Sequence, residues 1–222
     1  MEKISKKSIP NILTIVRIIL AVFAILFVCI YKSWQTEAFW YTFNDGTKVA
    51  VPITYILAGV FFVIACITDL MDGQLARKYH WISDFGKLWD PIADKILING
   101  VLIGLAVNGS IPVFISIIMI CRDIIVDASR MYASTKGKVV AANIWGKLKT
   151  VFQMIAIILI LFSFGIVIVS NNVIVSNNLV FQYLVQNFFL LVATVFSVVS
   201  GVIYEVQIFK KEKHANEQQK AS

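Results

Sequence analysis

The sequence predicts an all-α, polytopic membrane protein with six transmembrane helices, and three observations lead there. Of its 222 residues 59% are hydrophobic and only 15% are charged, against about 45–50% and about 25% in soluble domains. The mean hydropathy of +0.80 leaves too little polar surface to cover a water-soluble globule. The apolar residues also fall into six runs, at about 10–30, 51–71, 85–107, 111–132, 149–169 and 180–209, each near or above the roughly 20 residues that cross a bilayer as a helix. Residues 1–209 therefore read as one integral-membrane domain and 210–222 as a polar cytoplasmic tail.

Taken in order, the runs carry different chemistry. The lysines before the first run imitate a secretory signal, but Arg17 interrupts it and no small-residue cleavage site follows, so it reads as a retained span. Asn11, Thr14 and Arg17 give its cytosolic end a polar edge open to a ligand; local capping by Asn11 and a local hydroxyl bond from Thr14 are the plainer alternative. The segment Tyr31 to Phe43, with Trp34, Trp40 and Tyr41, reads as an outer interfacial belt. The second helix is expected to continue past Asp72. Ser83 is a candidate N-cap for the third, in which Pro91 removes a hydrogen bond. The fourth carries Arg122 and Arg130 about two turns apart. Lys147 and Lys149 lead into the fifth, Asn171, Asn172, Asn177 and Asn178 mark a polar outer loop, and the sixth run is long enough to tilt.

Charge orients the chain and excludes other classes. Lys3, Lys6, Lys7, Arg77, Lys78, Lys87, Lys136, Lys138, Lys147, Lys149, Lys210, Lys211 and Lys213 share one side, while Lys32 and Lys48 fall on the other. Both termini are thus expected in the cytoplasm, with the protein in the cell membrane. The net charge of +7 sits in short flanks rather than in a basic stripe interleaved with aromatics, so no nucleic-acid partner is expected. Cys29, Cys66 and Cys121 are odd in number and unpaired in spacing, which supports neither a disulfide framework nor a zinc site.

Eight of the thirteen acids lie in or beside spans, where carboxylates demand a reason. Asp69, Asp72, Gly73 and Ala76 share one face of the extended second helix, and Gly86, Asp90 and Asp94 one face of the third. Gly73, Ala76 and Gly86 leave room for close approach of backbone or ligand. Four carboxylates on two antiparallel neighbours repel each other unless protonated or neutralised, and hard divalent cations suit oxygen-only ligands. Magnesium, with two ions able to clamp a pyrophosphate, explains the set. The bland alternative is interfacial aspartates solvated by cytosolic water and paired with Arg77, Lys87 and Lys95.

The stretch Asp69 to Asp94, DLMDGQLARKYHWISDFGKLWDPIAD, resembles the signature of the CDP-alcohol phosphotransferases, DxxDGxxAR, eight residues, GxxxDxxxD, position for position. The resemblance implies a six-helix membrane enzyme, usually a homodimer, that displaces CMP from a CDP-linked lipid with an alcohol and a divalent cation, Mg2+ or Mn2+. It further implies metal ligation by Asp69, Asp72 and Asp90, with Asp94 as the base and near a second ion. Gly73, Ala76, Arg77 and Gly86 would serve the CDP moiety, with the edge of Asn11, Thr14 and Arg17 beside it for cytidine or phosphate contacts. Four other stretches, IPNILTIVR, RDIIVDASR, GKLKT and SGVIYE, resemble family members that use glycerol 3-phosphate, with CDP-diacylglycerol as donor.

A phosphorylated acceptor needs a second anion site, for which Arg122, Arg130, Lys147 and Lys149 are the candidates. Structural pairing of the arginines with Asp123 and Asp127, and snorkelling of the lysines to lipid headgroups, are the alternatives. Asp127 stands where a small or weakly polar residue is expected. Two rival functions remain open at this stage: the same chemistry on phosphatidylglycerol or inositol 3-phosphate, and a cation transporter whose aspartates are the permeation site.

Overall fold

The structure, a computed structural model, describes residues 9–34, 38–42, 48–79, 84–135, 144–163, 167–170, 173–174 and 187–208, with side chains described over 11–30, 52–71, 79, 89–135, 144–162 and 187–208. Six helices follow in order: α1 (Ile9–Trp34), α2 (Ile53–Tyr79), α3 (Asp84–Val107), α4 (Val113–Thr135), α5 (Ile144–Ser163) and α6 (Asn187–Ile208). Windows of 20, 19, 19 and 22 residues in α1, α2, α5 and α6 are long and apolar enough to cross a membrane. α3 and α4 are interrupted by the charged residues Asp90, Asp94, Lys95, Arg122, Asp123, Asp127 and Arg130, the groups for which a function was sought. The N-terminal lysines, His80, Trp81, Ser83, the Lys136–Lys138 segment and the polar tail lie outside the described residues.

The helices differ from the apolar runs at their ends. α2 does continue past Asp72, to Tyr79, and α3 runs through Pro91 without a break. α5 begins earlier and ends earlier than its run, at Ile144 and Ser163, because the β-branched stretch after it pairs as a strand instead. The segment expected to be an aromatic belt, the end of the run expected to be the fifth span and the start of the polar loop contribute to a four-stranded antiparallel sheet. β1 (Ala38–Thr42), β2 (Lys48–Pro52), β3 (Val167–Ser170) and β4 (Val173–Ile174) are neighbours in that order. Phe39 stands opposite Val51, Val49 opposite Ile168 and Ser170 opposite Val173. Valine, isoleucine and aromatic side chains suit a pleated surface, and these runs are too short to span.

The chain divides into two compact units. One comprises residues 1–111 and 157–186, the other 112–156 and 187–222. In the first, α1 packs against α2 and α3. Its buried face is Thr14, Arg17, Ala21, Ala24 and Val28, at alternating steps of three and four, and Ile12, Ile15, Ile19 and Val22 face outward. α2 answers with Tyr55, Ala58, Phe62 and Ala65, and α3 with Ala93, Leu97, Val101 and Leu105. The alanines let the axes approach, as suits helices in lipid, where dispersion rather than water exclusion drives packing. Gly100 and Gly104 extend this: a Cβ at Gly104 would stand 2.8 Å from Val28 Cγ1, and one at Gly100 would meet Ile25.

α3 ends in a Schellman motif. Gly109 takes a φ of 76°, Ser110 N–H donates to the Leu105 carbonyl at 2.9 Å, and Gly109 N–H donates to that of Ala106 at 3.0 Å. The same turn ties three helices together. Asn108 Nδ2 donates to the Val28 carbonyl at 2.7 Å and to the Tyr55 hydroxyl at 3.1 Å, and that hydroxyl shares a 2.8 Å hydrogen bond with Ser110 Oγ.

In the second unit α4 and α6 form a small core of Val126, Ala133, Tyr204 and Ile208. α5 is fastened to α6 by rings, with Trp145 and Phe152 each packing on Phe196 at centroid distances of 5.7 and 5.3 Å. All three cysteines are free thiols.

The tight α1–α3 contact is directly testable. Gly104→Val overpacks it and is expected to destabilise the protein by about 1–3 kcal/mol, read as a lowered thermal midpoint in detergent. Gly146→Ala, on α5 with nothing within 4 Å of its added Cβ, leaves the midpoint unchanged or raises it by up to about 1 kcal/mol equivalent.

Candidate active site

In the first unit the buried stripes of three helices end in polar groups. On α2 the stripe Tyr55, Ala58, Phe62, Ala65 continues one turn to Asp69. On α3 the stripe of Leu97 and Val101 begins at Asp90 and Asp94, and on α1 it begins at Thr14 and Arg17. Helical periodicity therefore brings two aspartate-bearing helices to one end of α1. Arg17 is wholly buried. Its Nη1 donates to Asp94 Oδ1 at 3.1 Å and lies 2.9 Å from Asp69 Oδ1. One turn earlier on the same face, Thr14 Oγ1 donates to Asp90 Oδ1 at 2.6 Å.

Arg17 was expected on an edge open to cytidine or phosphate; it is instead the counter-charge of the aspartates. The reason is position, since i+3 from Thr14 places it on the buried face. A guanidinium away from water is expensive unless it is paired and hydrogen-bonded, and two carboxylates from two helices do both. Thr14 makes a long-range bond to Asp90.

The side chains of Asp72, Gly73, Ala76, Arg77 and Gly86 lie outside the described residues; the backbone places the first four on the last two turns of α2 and Gly86 in the first turn of α3. Among the described residues no three His, Cys, Asp or Glu side chains form a metal group by themselves. The donor chemistry nevertheless fits a hard divalent cation. Two carboxylates converge on one positive charge, Asp90 is bonded to a neutral hydroxyl, and oxygen is the only ligand atom these three acids offer.

The expected acceptor cations lie in the second unit. Arg122 Nε donates to the Ser197 carbonyl at 2.8 Å, Nη2 to Ser200 Oγ, and Nη1 to Asp123 Oδ1 at 3.0 Å. Lys149 Nζ donates to both carboxylate oxygens of Asp123, at 2.8 and 2.6 Å. Arg130 is exposed and stacks 5.4 Å over the Tyr204 ring. Lys147 is not brought to Lys149: two residues apart on a helix they point to opposite sides, one exposed and the other buried.

Asp123, named from the sequence as the alternative partner of Arg122, does pair with it; sequence reading did not single out Ser197, Ser200, Gly201 or Gln153 for this site. Gly201 makes room for Arg122, because a Cβ there would come within 3.2 Å of Arg122 Cγ and Nε. Gln153, one turn along α5 from Lys149, is wholly buried with both ends of its amide unbonded. The SGVIYE stretch contains Ser200 and Gly201; a polar residue one turn after Lys149 inside an apolar run was the signal for Gln153.

Aspartates of α2 and α3 that meet Arg17 of α1, and cations of α4 and α5 that meet Asp123, are the chemistry of a membrane-embedded transferase of charged groups. Residues 7–199 match the CDP-alcohol phosphatidyltransferase family, and the chain belongs to that family, whose members use divalent metal ions. It is 39% identical over 208 residues to a CDP-diacylglycerol--glycerol-3-phosphate 3-phosphatidyltransferase of Mycoplasma pneumoniae, covering 94% of this chain and 90% of that one. A protein of the same name from Mycoplasma genitalium is 39% identical over 212 residues, with 95% and 88% covered. Another from Bacillus subtilis is 34% identical over 151 residues, with 68% and 74% covered.

Removing the Arg17 charge exposes its role. Arg17→Met leaves Asp69 and Asp94 without their buried counter-ion and is expected to lower stability by about 1–3 kcal/mol in the presence of chelator, a figure reduced for the partial exposure of both carboxylates. Thermal unfolding checks this. The double variant with Asp94→Asn should lose less than the sum of the two singles; strict additivity would show that the pair does not interact.

Proposed function

We propose that this protein transfers the phosphatidyl group of CDP-diacylglycerol to glycerol 3-phosphate, releasing CMP and forming phosphatidylglycerophosphate. The observation that carries the reading is the 39% identity to proteins of that activity over 94% of the chain. The acceptor hydroxyl oxygen forms a bond to the phosphorus that bears the diacylglycerol, the bond from that phosphorus to the bridging oxygen breaks, and CMP departs with the electron pair. Asp94 takes the hydroxyl proton on a carboxylate oxygen; at 40% side-chain exposure it is the more open of the two partners of Arg17.

Asp69, Asp72 and Asp90 would hold Mg2+ or Mn2+, with Asp94 beside a second ion, and the bound ions would supply neutralisation of the pyrophosphate and of the charge developing on CMP. Arg17 sets the aspartates' positions before any ion arrives, and Thr14 serves the CDP site by orienting Asp90. Asn11, Gly73, Ala76, Arg77 and Gly86 accommodate the CDP moiety. Arg122 and Lys149 form the centre of the acceptor-phosphate set, with Arg130 and Lys147 as further cations. The enzyme is a homodimer in the cell membrane, with both termini and the active end of the aspartate helices at the cytoplasmic side.

Labelled glycerol 3-phosphate, phosphatidylglycerol or inositol 3-phosphate supplied with CDP-diacylglycerol tests the acceptor: a new labelled phosphatidyl product forms from the first alone. Faster incorporation from either of the others overturns the assignment, and cation flux into proteoliposomes without CMP release would favour a transporter. Chelation should abolish CMP release and magnesium restore it. Asp94→Asn keeps shape and hydrogen bonding but removes the proton acceptor, so kcat should fall by roughly a hundredfold or more while CDP-diacylglycerol and magnesium still bind. Normal turnover of this variant at saturating substrate excludes Asp94 as the base. A cysteine at position 138 should be labelled from the cytoplasmic face alone and one at position 45 from outside alone; the reverse pattern overturns the orientation.

A further inference from the structure

An anion site for a phosphorylated acceptor should be lined by cations, yet an acid sits at its centre. Asp123 accepts from Lys149 Nζ with both oxygens, at 2.8 and 2.6 Å, and from Arg122 Nη1 at 3.0 Å. The three side chains are nearly withdrawn from solvent, at 7% exposure for Lys149, 15% for Asp123 and 17% for Arg122. The two cations differ in freedom. Arg122 is pinned by the Ser197 carbonyl and Ser200 Oγ on α6 and by the close approach of Gly201. The Lys149 ammonium bonds to Asp123 alone among the described residues, at the end of a flexible four-carbon stem.

A carboxylate that grips an ammonium with both oxygens takes up the donor positions that two oxygens of a phosphate would use. We propose that Asp123 is a latch that stands in for the acceptor's phosphate: it holds Lys149 in the substrate-free enzyme and yields it to a phosphate monoester dianion but not to a monoanion. Asp123 is thereby a specificity-determining residue, reading the charge of the acceptor. The inference rests on the reading of Arg122 and Lys149 as the acceptor-phosphate set.

The discrimination follows from charge and tether. Asp123 is fixed one residue from Arg122, so it competes for Lys149 as an intramolecular ligand at high effective concentration. A monoanion brings the same single charge but must also give up its free motion in solution, and loses. A dianion brings twice the charge and three oxygens, and wins in a site where Coulomb terms are strengthened by low dielectric. Asp123 keeps its bond to Arg122 when Lys149 leaves, so the exchange moves a single side chain. The latch also weakens the acceptor's apparent affinity by the fraction of enzyme in which Lys149 is engaged.

The test uses the full chain in detergent with CDP-diacylglycerol and magnesium, at a pH where glycerol 3-phosphate is a dianion, with sulfate and dimethyl phosphate as dianionic and monoanionic probes. Asp123→Asn should lower the apparent KM for glycerol 3-phosphate by roughly three- to tenfold, and it should make dimethyl phosphate nearly as good an inhibitor as sulfate. In the wild type sulfate should bind roughly tenfold or more tighter than dimethyl phosphate, measured both by inhibition and by titration calorimetry. A KM that rises or stays unchanged in folded Asp123→Asn, as a purely structural ion pair would give, overturns the latch. So do equal affinities for the two probes in the wild type, which decide the matter if the variant does not fold. Absence of CMP release by the wild type with glycerol 3-phosphate would be a failure of the proposed function instead, and the calorimetric ratio would still judge the latch.

Discussion

The first unit is organised around one buried positive charge. Arg17 is wholly withdrawn from solvent and holds carboxylates that arrive on two other helices. In a medium without water an isolated guanidinium is costly, as is an isolated carboxylate, so the three groups oblige α1, α2 and α3 to meet at one level. The alanines and glycines along those helices let them come close enough to do so. At the far end of the same helices the Asn108, Tyr55 and Ser110 bonds fix their register. Between two polar ends, an apolar stripe needs only to fill space.

The second unit repeats this solution with the sign reversed. There a carboxylate, Asp123, is the hub and cations from α4 and α5 are its partners. Breaking either hub leaves opposite charges stranded in a poor dielectric, so both units keep their ions in place mainly by denying them an alternative. The same property suits chemistry. In the first unit, groups that are held in position by protein partners before a ligand arrives have little reorganisation left to undergo when it does.

Particular residues show how far periodicity carried and where it stopped. Asp69, Asp90 and Asp94 were legible because spacing of three and four on a helix defines a face, and an acid in an apolar run is conspicuous. Arg17 was visible as an interruption but not as a partner, since its ligands lie on helices far along the chain. Lys147 and Lys149 looked equivalent as a pair of basic residues, although a two-residue separation on a helix sends them opposite ways. The sheet was missed for a different reason. Two β-branched runs flank Asn171 and Asn172, and asparagine tolerates the positive φ that tight turns need, but the apolar run leading into β3 read as more helix because local hydrophobicity does not distinguish the two.

What the sequence by itself determined is the solvent, the helices and the charge of the site: hydropathy requires lipid, run length requires spans, and the spacing of Asp69, Asp72, Asp90 and Asp94 puts carboxylates on two helical faces. What only the tertiary structure decided is which charge answers which. Arg17 chose Asp69 and Asp94, Thr14 chose Asp90, and Lys149 chose Asp123. Helical periodicity is a property of neighbours three and four residues apart, whereas these pairs are separated by as many as 77 positions. Only the packing of whole helices, driven by the need to leave no charge alone in a low dielectric, brings such residues together.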